Sequence, residues 1–376
     1  MFYRLYELQR WAAAPLIATL RLPGEAVPPW GRPAWALAEL LSRSAEAAEP
    51  RHEPIEAAVA ADLGRPVEAA VTHATPFVRV VRLRARGRVP GEPILLLAPH
   101  SGYATAVLAE LASSLLGLGE VWVTDWVDAR MVPRAAGPFR LADQASLCRD
   151  LLSMIGRPCH LVGLSQSVPV AMAAALVGPG VASLTLLGGP VDPTSAPTPL
   201  QRALALVPGE MLAAQLTSTV AARHPGAGRR VFPAVYQLLA YAGASPAAYL
   251  EAQTGLLAEL ATGRANGRAR QHADLHRLLD VPAELFADTI EVAARSPVAL
   301  AAGEGLRNAP VLTVEAGGDG LVGAGQTHAA HRRLAPFGAV SAGRHTLRGA
   351  EHHDLFVGPR FREEVAPTIA GFLAAH

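Results

Sequence analysis

Residues 160–177 read HLVGLSQSVPVAMAAALV, from His160 to Val177, and this stretch decides how the rest of the chain is read. His160 to Leu164 is a short apolar run suited to a strand buried on both faces. Ser165, Gln166 and Ser167 follow directly, and Val168 to Val177 is compatible with a helix. Strand, tight turn, serine and helix in that order make a nucleophile elbow. The sharp turn lifts the serine oxygen above the sheet, and the next backbone amide, on Gln166, faces a developing oxyanion at the helix N-terminus. Gly163 supplies one small residue for the turn, while Ser167 stands where the usual box has its second glycine, so the motif is GxSxS. A serine before a helix is also an ordinary N-cap, so the elbow reading depends on what the rest of the chain supplies.

Comparable apolar runs lie on both sides: Phe77 to Leu83 (FVRVVRL), Ile94 to Ala98 (ILLLA), Val121 to Thr124 (VWVT), Ser183 to Leu187 (SLTLL) and Val311 to Glu315 (VLTVE). Stretches long enough for helices separate most of them, such as Ala104 to Leu116 and Asp143 to Ile155. Near-continuous apolar strands joined by helical crossovers predict a doubly wound, mostly parallel α/β sheet covered on both faces. Phe77 to Leu83 is expected to open that sheet. The gap between Gly189 and Val311 has no comparable strand series and reads as a largely helical cap. The predicted organisation is a helical segment over 1–66 packed on the body, an α/β core over 67–190 and 301–376, and a cap over 191–300.

Within the first segment Leu5, Leu8, Trp11 and Ala12 recur at helical spacing, as in an amphipathic helix packed on the body, the favoured reading, or laid against an apolar surface. Arg4, Glu7 and Arg10 interrupt the early apolar positions, and the run from Trp11 to Leu20 is too short to span a membrane. The 376 residues carry 33 Lys+Arg, all arginine, against 32 Asp+Glu, so the net charge of +1 lacks the footprint of a nucleic-acid binder. A composition of 51% hydrophobic and 17% charged residues excludes a disordered chain. Cys148 and Cys159 are too few for a disulfide framework, and a reducing compartment is the simpler expectation.

In doubly wound sheets chemistry sits at the carboxyl ends of the strands. After Val311 to Glu315 the turn Ala316-Gly317-Gly318-Asp319-Gly320 places Asp319 at such an end. Arg344 to Leu347 can form a last strand, followed by a loop holding His352 and His353. Serine, then acid, then histidine is the chain order of an α/β-hydrolase triad. The expected roles are Ser165 as nucleophile, His352 as base and Asp319 as the group that fixes the imidazole. His352 is favoured over His353, which would point in a different direction. A second oxyanion amide is expected from Ser101 or Gly102, at the end of ILLLA.

Other chemistries find no support. There is no GxxxxGK[ST] loop, no GxGxxG after a strand and no CxxC, so no cofactor is expected. His272 with His276, and His328 with His331, have helical spacing but no third ligand, and are read as solvated helix faces rather than a metal site.

Several long segments resemble the intracellular polyhydroxyalkanoate depolymerases: LLLAPHSGYAT (Leu95 to Thr105), VTDWVDARMVPRAAGPF (Val123 to Phe139), LTLLGGPVDPTSAPT (Leu184 to Thr198), HPGAGRRVFPAVYQL (His224 to Leu238), LDVPAELFADTI (Leu279 to Ile290) and GQTHAAH (Gly325 to His331). The resemblance runs the length of the chain and implies an α/β-hydrolase that cleaves ester bonds of short-chain poly(3-hydroxyalkanoate), chiefly poly(3-hydroxybutyrate), in cytoplasmic granules. It places the acid and the histidine on Asp319 and His352. The departure is at the nucleophile, where members of that family typically carry cysteine followed by Gln-Pro and this chain has Ser165, Gln166 and Ser167. Cys159 is no substitute, because it precedes the strand. The polymer or granule surface is the expected partner, and Trp126, Phe139, Phe232, Tyr236 and Leu285 are candidates for gripping it, although each is more readily read as core than as contact. Asp125, Asp128 and Arg130 are read as an ion cluster shaping the site, without a catalytic role. Two other readings stay open at this stage. One is a carboxylesterase of soluble short-chain esters, and the other is a catalytically silent granule-binding protein.

Overall fold

The computed structural model describes residues 27–376 apart from 48, 51–52, 88–90, 103 and 264–267. The amphipathic segment with Leu5, Leu8, Trp11 and Ala12 lies outside the described residues. Eight strands form the main sheet: β1 (Glu68–Ala74), β2 (Val78–Arg84), β3 (Ile94–Leu97), β4 (Val121–Trp126), β5 (His160–Leu164), β6 (Ser183–Leu187) and, after three short strands of the cap, β10 (Pro310–Ala316) and β11 (Val340–Leu347). Their spatial order is β1-β2-β4-β3-β5-β6-β10-β11. From β4 to β11 every pairing is parallel, while β1 with β2 and β2 with β4 are antiparallel.

Every residue of β3, β4, β5 and β6 is buried. Because strand side chains alternate between faces, that pattern requires cover on both sides. The helices Leu141–Ile155 and Val168–Val177 supply part of that cover, and Leu151, Leu152, Ala171 and Met172 join the strand residues in one apolar core.

The sheet does not open where the sequence suggested. Glu68–Ala74 precedes Phe77–Leu83 and pairs with it as an edge strand, almost entirely exposed or half-buried. An edge strand with little burial has no apolar alternation to betray it.

The cap between β6 and β10 contains helices Pro199–Leu206, Gly209–Leu216, Ala234–Ala244, Pro246–Thr262, Arg268–His276 and Ala283–Ile290. It also holds a small antiparallel sheet of β7 (Ser218–Thr219), β8 (Arg230–Phe232) and β9 (Val281–Pro282). The helix Arg32–Ala47 packs Ala36 and Leu40 against Leu256 and Leu260 of the cap.

Candidate active site

Ser165 follows β5 without a spacer and has φ +49°, a left-handed conformation that only one other described non-glycine residue, Asn308, shares. Such a backbone costs about 1–2 kcal/mol and persists only where its surroundings impose it. Here close packing does so. A Cβ on Gly163 would lie 2.7 Å from Ala171 Cβ, and one on Gly189, after β6, 2.2 Å from Val168 Cβ. Those two glycines let the helix Val168–Val177 press against the sheet directly behind the serine. Ser167 is buried and polar instead of absent: its Oγ accepts from Leu164 N at 2.8 Å and donates to Leu97 O at 2.6 Å.

The Ser165 hydroxyl donates to His352 Nε2 at 3.0 Å, and His352 Nδ1 donates to Asp319 Oδ2 at 2.6 Å. A carboxylate only accepts, so Nδ1 carries the ring proton and Nε2 is left as the acceptor. The second oxygen of Asp319 accepts from the amides of Leu321 at 2.7 Å and Val322 at 2.9 Å, which fixes the carboxylate's rotation. The glycine turn before it is tied to the histidine loop, Gly317 N donating to Leu347 O and Gly318 N to Ala350 O, each at 2.8 Å. It is His352, not the adjacent His353, that meets Ser165 and Asp319; the His353 ring lies 6.1 Å from that of Tyr241, and burial pushes its pKa down to about 4.

Ser165 and His352 open onto a cavity of about 570 Å³ between core and cap, whose surface is mostly apolar but also takes in Gln201, Gln237, Asp274 and Arg277. Gln166, Ser101 and Gly102 also line it. Beneath the loop that carries Ser101, Trp126 Nε1 donates to Ala98 O at 2.9 Å and Gln144 Nε2 donates to His100 Nδ1 at 2.9 Å. Burial lowers the His100 pKa to about 3, so the ring stays neutral and stacks on Trp126 at 4.7 Å.

Of the aromatic candidates, Phe232 and Tyr236 line the cavity. Trp126 does not. It is 4% exposed and supports the loop from below, Phe139 stacks on Phe77 at 4.5 Å, and Leu285 is 1% exposed. The sequence reading missed most of the cap wall, including Leu204, Leu216, Leu239, Tyr241 and Ile290. One signal was available in the sequence: the stretch AVYQLLAYAGA (Ala234–Ala244) is apolar apart from Gln237 and its two tyrosines, and in the fold it buries none of its residues fully, as befits the wall of an open cavity.

The paired histidines are not solvated. His272 is 1% exposed, with Nε2 3.2 Å from Ser44 Oγ and 3.1 Å from Gln253 Oε1, while Thr313 Oγ1 lies 2.6 Å from His328 Nδ1 and 2.8 Å from His331 Nε2. These are hydrogen-bonded packing clusters. Among the described residues no group of three or more His, Cys, Asp or Glu side chains is arranged to hold a metal ion. Cys148 and Cys159 are buried and unbridged, and burial pushes the Cys159 thiol up to about 12, far from the thiolate a nucleophile needs. No helix among the described residues is long and apolar enough to cross a membrane.

The sheet order and the strand-turn-helix around Ser165 define an α/β-hydrolase. Residues 188–376 match the model of the family described as PHB de-polymerase C-terminus, and the chain belongs to that family. Among solved structures it is similar to a mutant of esterase E22, at 16% identity and a TM-score of 0.53 over 82% of this chain and 99% of that one. It is also similar to a thermophilic esterase from Thermogutta terrifontis, at 18% identity, TM-score 0.46, and 82% and 98% coverage. A monoacylglycerol lipase from Paleococcus ferrophilus gives 13%, 0.46, and 80% and 99%. At these identities the likeness concerns the fold alone. No curated protein sequence matches the chain.

Proposed function

We propose that the protein is a serine-dependent ester hydrolase that depolymerises poly(3-hydroxybutyrate) and related short-chain polyesters in cytoplasmic granules. The observation that carries the reading is the continuous path from Ser165 Oγ through His352 to Asp319, at 3.0 and 2.6 Å, on the wall of an apolar cavity. Membership of the PHB de-polymerase family supports the substrate class.

In this mechanism Ser165 Oγ attacks the carbonyl carbon of a chain ester while His352 Nε2 takes its proton. Asp319 holds the ring and stabilises the imidazolium. The amide of Gln166, with that of Ser101 or Gly102, receives the oxyanion. Collapse breaks the bond to the ester oxygen, which leaves as the hydroxyl end of the released chain after taking the proton from His352. Water activated by the same histidine then cleaves the acyl-serine. No cofactor enters any step. The apolar lining suits a polyester backbone whose polar atoms are ester oxygens without charge.

Trapping the acyl-enzyme tests this reading. After brief exposure to a soluble 3-hydroxybutyrate ester and acid quench, mass spectrometry should find the acyl group on the peptide holding Ser165. An adduct on Cys159 would refute the serine assignment. Turnover of the soluble ester with none of the polymer would favour a carboxylesterase.

A further inference from the structure

The segment Leu278–Asp280 touches three parts of the molecule at once. Towards the site, Leu278 bridges Gly102 and the Leu279 amide donates to Ser101 O at 2.9 Å. Towards the cap, Leu279 O accepts from Gln237 Nε2 at 2.6 Å, and Asp280 Oδ1 accepts from Ala234 N at 2.9 Å. Ala234 is the first residue of the helix that carries Tyr236, Leu239 and Tyr241 into the cavity wall. Towards the core, the Ala129 amide donates to Asp280 O at 3.0 Å and the Asp280 amide to Asp128 Oδ2 at 3.3 Å.

The core contact is charged. Arg130 grips Asp128 with two bonds, Nε to Oδ1 at 2.9 Å and Nη2 to Oδ2 at 2.7 Å, and its Nε lies 3.8 Å from Asp280 Oδ2. The three side chains are no more than 3% exposed. Gly226 is lodged against the same turn, where a Cβ would lie 2.6 Å from Ala129 O and 2.7 Å from Arg130 O. Arg229 donates to the carbonyls of Val132, Pro133 and Gly137. The segments TDWVDAR and PGAGRR, distant in sequence, are thus two halves of one joint. Asp125 lies in β4 opposite Arg79, and burial pushes its carboxyl up to about 7. Buried ion clusters add little net stability, but their fixed bond directions specify geometry.

We propose that the cluster of Asp128, Arg130 and Asp280 is a positioning device which, through Leu278–Asp280, sets the Ser101–Gly102 loop and the cavity-wall helix together. It couples cap placement to the oxyanion site. The consequence for rate rests on the function proposed above; the consequence for structure does not.

Two measurements on the full-length chain test it. One is kcat per active site on p-nitrophenyl butyrate, with sites counted by end-point labelling with a fluorophosphonate. The other is hydrogen exchange in peptides covering 98–102 and 234–240. Asp280→Ala should lower kcat per labelled site about tenfold, part of the 10²–10³ that a lost oxyanion donor costs, and speed exchange in both peptides. Asp280→Asn keeps the acceptor for Ala234 N and should restore most of both. Arg130→Lys, which keeps the charge but not the fork, should shift both readouts in the same direction if Asp280→Ala does not fold. A merely structural role would reduce the labelled fraction and leave kcat per site unchanged. Wild-type exchange in Asp280→Ala or, should that not fold, in Arg130→Lys, or an Asp280→Asn as impaired as the alanine variant, would overturn the proposal. A wild type that neither turns over ester nor takes the label would defeat the proposed function, and exchange would still decide the positioning role.

Discussion

The Ser167 hydroxyl donates to the carbonyl oxygen of Leu97 at 2.6 Å and so binds the turn around Ser165 to the end of the neighbouring strand β3. The loop that follows β3 carries Ser101 and Gly102, which makes Ser167 a tie between the serine's turn and the second candidate oxyanion donor. Where the usual box has a glycine, this chain has a hydrogen bond.

Ser167→Ala should therefore cost about 1–2 kcal/mol of stability, the range for losing a buried hydroxyl bond. It should also lower kcat more than the folded fraction accounts for. Urea unfolding and per-site kinetics measured side by side would show both effects, and an unchanged Cm would remove the tie.

The two adjacent histidines should separate cleanly. His352→Ala and Asp319→Asn each interrupt the path to Ser165 and should reduce kcat by about 10⁴. His353→Gln changes a buried ring beside Tyr241 and should cost less than about tenfold, with the effect on KM as large as that on kcat. Equal losses in His352→Ala and His353→Gln would contradict the assignment of the base.

Much of the fold could be read because the central strands are buried on both faces and therefore show as plain apolar runs, Ile94–Leu97 and Ser183–Leu187 among them. β1 could not be read this way, since Glu68–Ala74 is held by pairing with β2 and buries almost nothing. The first half of β11, Val340–Ser341–Ala342, is exposed and escaped for the same reason. The strand-turn-helix around Ser165, the order of the three residues and their placement after strand ends together suggested Ser165, Asp319 and His352, which the fold brings into hydrogen-bond contact. The burial of His272 depends on Ser44, 228 residues away, and helical spacing cannot reveal such a partner. Which aromatic residue faces the cavity depended likewise on where the cap settles over the core.

Acid should destabilise the protein well above the pH at which ordinary carboxylates titrate. Burial lowers the pKa of His100 and His272 to about 3 and of His328 and His353 to about 4, from 6.5. Below pH 6.5 the unfolded chain binds protons at these four rings that the folded chain does not, so stability is lost as pH falls. Asp125 opposes this, because its folded value of about 7 makes the native state bind one proton that the unfolded chain releases down to about pH 4. Four rings outweigh one carboxyl, and Tm should fall steadily from pH 7 to pH 5. A Tm that rises over that interval would be incompatible with these neutral buried histidines.

Leu239 is 56% exposed and also lines the cavity, which puts it at the mouth. A charge there should hinder an apolar polymer chain far more than a small ester. Leu239→Asp is expected to reduce release from polymer by about tenfold and hydrolysis of p-nitrophenyl acetate by less than about twofold, the scale of one apolar side chain lost from a binding surface. Parallel losses on the two substrates would place the polymer's path elsewhere.

The most direct measurement is the release of 3-hydroxybutyrate and its oligomers from amorphous poly(3-hydroxybutyrate) granules by the wild type, Ser165→Ala and Cys159→Ala. The account predicts release by the wild type and Cys159→Ala, and loss of at least about 10³ in Ser165→Ala. Release that persists in Ser165→Ala, or a wild type that leaves the granules intact, would contradict it.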